Sequence, residues 1–244
     1  MNPHLQKELI DANENRITRI RNGFKVYWIL IIFSFVLSSY ISIDYWSNAE
    51  TDDFAFFEKY EWIDNFQGFI GLGIIIVFIG LMRNGAFYIR DVYHALSLST
   101  ATKFTVQSAF WSWFIPIIWW FRPLQVIKEI DKHKRNSSSN YEESYNLNFW
   151  WFGFLFYYWM SYLFAFVFGV FVFINESDLF LMDISYLDLY NFAIKLEFGL
   201  DIIRIAIGYL AYIQFLRILR GFLSFQKILI DTELKDDIVY HLVD

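Results

Sequence analysis

Apolar positions in this chain fall in blocks far longer than a soluble core requires. Phe24–Ile43, Phe66–Met82 and Phe149–Ile174 are almost continuously apolar, and a further apolar stretch ends near Leu219. Soluble cores are built from short, interrupted apolar runs. About 20 apolar residues wound as a helix rise about 30 Å, the thickness of a bilayer's hydrocarbon core. The pattern predicts an all-α integral membrane protein, one membrane domain over 1–244. Its four transmembrane helices are expected at about 24–43, 66–82, 149–174 and 197–219.

The polar blocks set what lies between them. Residues 1–23 are polar, with Leu5, Leu9, Ile10, Ile17 and Ile20 at near-helical spacing. That spacing predicts a short amphipathic helix on the membrane surface, or a solvated helix packed on the bundle. A cleaved signal peptide is not expected, because no small-x-small site follows the long apolar stretch. Residues 44–65 read as an acidic loop. The second span continues into a polar helix carrying Arg83, Arg90 and Asp91. Residues 131–148 read as a loop with an exposed tip at Asn136–Asn140, and residues 175–190 as an acidic loop. Residues 220–244 form an amphipathic tail with an acidic end.

One segment does not fit the simple scheme. Ser108–Phe121 is apolar, yet both flanks are rich in Lys and Arg. Its 14 or so residues cover roughly 21 Å as helix, less than the ~30 Å core. Pro116 lies inside it and removes a backbone donor. Short loops rich in Lys and Arg stay in the cytoplasm. The tails 1–23 and 220–244 are basic enough to be cytoplasmic, and the two acidic loops belong outside. If the segment dips in and returns, every basic loop is inside. This predicts a Pro-broken re-entrant or interfacial segment at about 104–129. The alternative is a kinked fifth span that violates the charge rule.

Composition narrows the chemistry. Hydrophobic residues make up 57% of the 244 and aromatics 23%, more than soluble domains carry. The net charge of −6 says little, because acids and bases are sorted into different loops. No basic stripe with interleaved aromatics points to nucleic acid. The absence of cysteine excludes disulfides and thiolate metal sites. His4, His94, His133 and His241 have no metal-ligand spacing. No metal or other cofactor is expected. Sequence signatures of metalloproteases, serine hydrolases and phosphate-binding loops are absent, so an enzyme is not expected.

The stretch Trp111-Ser-Trp-Phe-Ile-Pro-Ile-Ile-Trp-Trp-Phe-Arg-Pro-Leu-Gln125 resembles the signature of a bacterial membrane family, domain of unknown function 4328. The matching residues are Trp113, Phe114, Ile115, Pro116, Arg122, Pro123 and Gln125, followed by Lys128-Glu129. Arg90 and His94-Ala-Leu96 resemble the polar helix before it, and Trp150-Trp151 fit the opening of the next span. The resemblance runs roughly from Gly68 to the C-terminus. Trp119-Trp120 in the gap and Leu124 depart from the pattern. The resemblance implies a multi-span membrane protein and supplies no catalytic residues.

Two groups of residues could carry function. Pro123 suits the first turn of a helix, so a new helix is expected to start near Arg122 and run through Lys128. Helix starts attract anions. Arg122, Gln125 and the preceding turn could hold an anion or a lipid headgroup. Alternatively, Arg122 snorkels to lipid phosphates while tryptophans anchor the interface. The second group is Glu197, Asp201 and Arg204, which share one helix face while Lys195 points away. Ionisable residues in a membrane usually face a bundle interior or water. They form either a polar pathway or a structural pair near the outer interface.

These readings predict a multi-pass protein of the bacterial inner membrane, with both termini cytoplasmic. Its expected role is a non-enzymatic interaction or envelope-organising component. Its expected partners are the lipid bilayer and a protein on the cytoplasmic face, with no nucleic acid. The alternative is a small transporter or channel subunit with its polar path in the last span.

Overall fold

A computed structural model describes the backbone of residues 3–47, 53–115, 118, 121–137, 145–174 and 186–243. Pro116, Trp119, Trp120, the tip near Ser138 and residues 175–185 lie outside the described residues. Among the described residues all regular structure is helical. The elements are α1 (Pro3–Ser47), α2 (Asp53–Ser99), α3 (Val106–Trp111), α4 (Arg122–Ser137), α5 (Leu147–Ile174) and α6 (Tyr186–Val243).

Among the described residues three helices, α1, α2 and α6, are long and apolar enough to cross a membrane. The fourth expected stretch forms α5, 28 residues without a charged side chain. The helices are longer than the apolar stretches within them. The 45 residues of α1 rise about 67 Å, and the 58 of α6 about 87 Å, more than twice the hydrocarbon core.

This continuity changes several sequence expectations. Residues 1–23 do not supply a separate surface helix. Described from Pro3 onward, they run unbroken into the first apolar stretch, and Asn13, Ile17 and Ile20 are buried. The packed-helix reading is the observed one. The expected acidic loop over 44–65 is mostly helix, since α1 runs to Ser47 and α2 starts at Asp53. The tail after 220 continues α6. The basic loop expected from Asp131 instead extends α4 to Ser137, with Arg135 donating to Asp131 one turn earlier at 2.8 Å. One physical reason serves for 53–65 and 131–137. Charge lowers hydropathy but does not end a helix; proline and glycine do. None stands in 53–65 or 131–137.

Between α2 and α4 the chain is not one helix. The six residues of α3 rise only about 9 Å. Thr105 caps the start, accepting from the Ser108 N–H at 3.1 Å. The helix ends at Ser112, four residues before Pro116. There the Ser112 hydroxyl donates to the Ala109 carbonyl at 2.7 Å, and Trp113 N–H bonds Phe110 in a tighter turn. Among the described residues, 112–114 form turns and Ile115 is not helical. As expected from Pro123, α4 begins at Arg122.

Contacts divide the chain into two compact units. Unit 1 holds Met1–Val26, Ile76–Trp151 and Tyr212–Asp244; unit 2 holds Tyr27–Ile75 and Phe152–Ala211. Unit 1 buries Ile20, Ile89, Leu96, Ile127, Ile130 and Phe222 fully. Unit 2 turns apolar groups outward as well. Ile29, Phe69 and Phe166 are 65%, 72% and 69% exposed. Its interior is aromatic, with Tyr27, Trp28 and Tyr157 buried. Gly208 admits this packing. A Cβ there would stand 2.5 Å from the Tyr157 ring and 3.1 Å from Trp28.

Candidate functional site

In unit 1 the motif residues are used in two ways. Trp113 is buried against Phe215, with ring centroids 6.5 Å apart, and Pro123 is buried in the first turn of α4. Arg122 ties the end of the segment to its start. Its guanidinium donates to Ser108 at 2.9 Å and lies 5.1 Å from the Phe104 ring centroid. The other residues face outward. Trp111, Phe114, Ile115 and Phe121 are 41–49% exposed, and Gln125 is exposed.

The same helix positions a second set of groups. Glu129 accepts the Tyr93 hydroxyl at 2.8 Å and the Lys103 N–H at 2.5 Å. The Tyr93 oxygen accepts the Phe104 N–H at 3.0 Å. The 101–104 connection is thereby fixed against α4, leaving an open groove of about 670 Å³ lined by Lys103, Gln125, Lys128 and Lys132. On the far part of α4, Asp131 accepts Tyr145 at 2.7 Å, and Lys134 donates to the same hydroxyl at 3.2 Å. Burial holds the Lys134 ammonium below its ordinary range, while Asp131 raises it and Arg135 lowers it further.

Unit 1 also contains a polar seam that sequence reasoning missed. Arg16 donates to the buried Asp91, and Arg90 donates to the other carboxylate oxygen at 2.9 Å. Asn13 donates to Gln226 at 2.9 Å across 213 residues of sequence, both fully buried. The usable signal was Asn13, Arg16, Ile17 and Ile20 on one helix face, together with a lone acid, Asp91, in a basic stretch.

In unit 2, Asp201 and Arg204 pair at 2.9 Å, each about a quarter exposed. The Arg204 guanidinium also lies 5.6 Å from the Tyr157 ring centroid. The Tyr27 hydroxyl donates to Tyr157 at 3.2 Å and meets the Tyr158 hydroxyl at 3.2 Å. No sequence argument had singled out these tyrosines, because a tyrosine in an aromatic run reads as packing. The side chain of Glu197 lies outside the described residues. Among the described residues, no three His, Asp or Glu gather so as to hold a metal ion.

The arrangement offers ion pairs, tyrosine hydroxyl contacts and a lysine-lined groove. No curated protein and no solved structure matches the chain. The family model described as "Domain of unknown function (DUF4328)" matches residues 57–219. The match begins before Gly68 and ends at Leu219, so it spans α3, α4 and α5 and leaves out the end of α6. It takes in Trp113, Arg122, Pro123 and Gln125 together with Asp201 and Arg204, and since it covers more than half of the sequence, the chain belongs to the DUF4328 family.

Proposed function

We propose that this is a non-enzymatic, four-span protein of the bacterial inner membrane, with both termini in the cytoplasm, serving as an interaction or envelope-organising component. The observation that carries this reading is the contrast between the two units. Only 11% of the most apolar stretch of α1, and likewise of α2, is buried. Contiguous outward apolar surface of that kind belongs in lipid. Unit 1 holds the larger set of fully buried apolar groups together with the Arg16–Asp91 ion pair, and leaves Trp111, Phe114, Ile115 and Phe121 facing outward. Adding α5 to the three long helices gives an even number of spans, which returns both basic ends to one side. Of the polar motif residues, Arg122 is committed to Ser108 and the Phe104 ring, and Gln125 is exposed. The exposed part of unit 1 is the face a protein partner would meet.

Topology tests this directly. Because the chain lacks cysteine, a Ser138→Cys thiol can be labelled with an impermeant maleimide in intact cells, with Ser47→Cys as the outside control. Labelling only after permeabilisation supports four spans. Labelling in intact cells overturns them.

A second reading, a transporter or channel subunit, is favoured by the tyrosine hydroxyls beside Asp201 and Arg204. Asp201→Asn separates the two: lost flux at normal abundance supports transport, and lost abundance alone supports a structural pair.

A further inference from the structure

We propose that the groove between the 101–104 connection and α4 is a binding site for a phosphate-bearing anion, supplied by an acidic phospholipid headgroup. The proposal rests on the interfacial reading of 104–129 and adds a ligand class to it.

The lining carries the chemistry. Gln125, Lys128 and Lys132 stand at i, i+3 and i+7 of α4 and so share one face. Packing fixes which face that is, because Val126, Ile127 and Ile130 on the other side are fully buried. Lys103 joins them from the opposite wall. The one lining acid, Glu129, is already engaged by the Tyr93 hydroxyl and the Lys103 N–H. Among the described residues Lys103, Lys128 and Lys132 make no ion pair. Arg16, Arg90, Arg135 and Lys227 in the same unit do. Three ammonium groups and an amide lining this open groove match a phosphate ester in charge and donor type.

The neighbouring surface identifies the source. Trp111, Phe114, Ile115 and Phe121 form an exposed apolar lip immediately before α4. Such a lip belongs at the acyl boundary of a bilayer. From Phe121 to Lys128 the helix rises only about 10 Å. With the lip in lipid, the lysines reach headgroup level, where basic clusters recruit anionic lipids.

The test uses the full-length protein in neutral detergent micelles, so that it does not depend on the number of spans. Binding of short-chain phosphatidylglycerol and of glycerol 3-phosphate is measured by native mass spectrometry. K128Q/K132Q is compared with the charge-matched R217Q/R220Q, both checked for unchanged helix content. The expected result is a loss on the order of tenfold or more in phosphatidylglycerol affinity for K128Q/K132Q, less than twofold for R217Q/R220Q, and no binding of glycerol 3-phosphate. Binding of glycerol 3-phosphate that is lost in K128Q/K132Q keeps the phosphate site and makes its source a soluble ester. Equal losses in both variants, or none in either, overturn the proposal. A readout free of variants is acetylation of Lys128 and Lys132 in the wild-type protein. Phosphatidylglycerol is expected to slow it several-fold relative to phosphatidylcholine, and unchanged rates overturn the site. The Ser138→Cys labelling reports separately on the four-span reading.

Discussion

Replacing Asp91 by alanine is expected to cost unit 1 about 2–3 kcal/mol. Asp91 is 5% exposed and accepts from both Arg16 and Arg90. Removing one partner of a fully buried ion pair costs about 3–5 kcal/mol, because the surviving charge is left in a poor solvent. Here the survivors are not fully buried. The Arg16 side chain is 23% exposed and that of Arg90 is 38% exposed, so water recovers part of the cost. A further term works the other way. The guanidinium groups of Arg16, Arg83 and Arg90 all lie within 6 Å of the Phe87 ring centroid, at 5.7, 5.8 and 4.7 Å. Without the carboxylate they repel one another. The partial exposure outweighs the repulsion and brings the value below that of a fully buried pair, to about 2–3 kcal/mol.

The assay is thermal unfolding of the purified full-length protein, followed by circular dichroism. A chain of this size shifts its midpoint by about 2–4 °C per kcal/mol, so D91A should melt about 4–12 °C lower. A second pair in the same unit gives the control. Lys227 and Glu14 meet at 2.6 Å but are 45% and 49% exposed, and exposed pairs contribute about 0–1 kcal/mol. E14Q should therefore shift the midpoint by less than half as much as D91A. In the R16A/D91A double variant the two losses should be clearly less than additive. A D91A midpoint within a degree of wild type, or an E14Q effect as large as that of D91A, would refute the claim that burial decides the value of these pairs.

Three further outcomes follow from geometry. G208A should lose about 1–3 kcal/mol, because its new methyl meets the Tyr157 ring and Trp28; G71A, with nothing within 4 Å, should melt at or above the wild-type midpoint. R122K should speed proteolysis within 101–105 and lower the midpoint by about 1 kcal/mol equivalent, since lysine cannot reproduce the flat contact with Phe104 and the bond to Ser108. Lys134 gives a pH dependence: its native pKa lies below the ordinary 10.5, so the native state loses the proton before the unfolded chain does. The unfolded state then holds more protons in that window, and stability rises with pH between the lowered native value and 10.5. The wild-type midpoint should climb relative to K134M over that range, and parallel curves would refute the assignment.

What the sequence revealed and what it hid have physical causes. Apolar stretches of bilayer length are set by one solvent property and survive any arrangement of the helices. The start of α4 at Arg122 was legible because Pro123 restricts backbone geometry locally. The Asp201–Arg204 pair was legible because i and i+3 are neighbours on any helix. By contrast, the helix through 53–65 and 131–137 was hidden, because these charged blocks resemble loops while lacking proline and glycine. The turn at Ser112 was not foreseen, since a serine hydroxyl competing for a carbonyl is a weaker signal than a proline; the break expected at Pro116 lies outside the described residues. Bonds such as Asn13 to Gln226 join residues 213 apart and depend on tertiary assembly alone.

The Asp201–Arg204 pair decides between the two functional readings through its charge balance. Each group has a partner in the other, and Arg204 also lies over Tyr157, which is itself bonded to Tyr27. A proton or ion path needs a carboxylate whose charge is available; a structural pair needs only that its two charges cancel. Asp201→Asn leaves Arg204 charged without its carboxylate, which is costly at membrane depth. Removing both charges, as in D201L/R204L, ends that cost, because replacing an ion pair by apolar residues of similar volume is often neutral or stabilising. For a structural pair, D201N should lower abundance severalfold and D201L/R204L should restore it, as read by immunoblot of membrane fractions. Should D201N accumulate normally, or should D201L/R204L fall as low as D201N, the pair is not acting by mutual neutralisation, and the charge of Asp201 itself becomes the functional element.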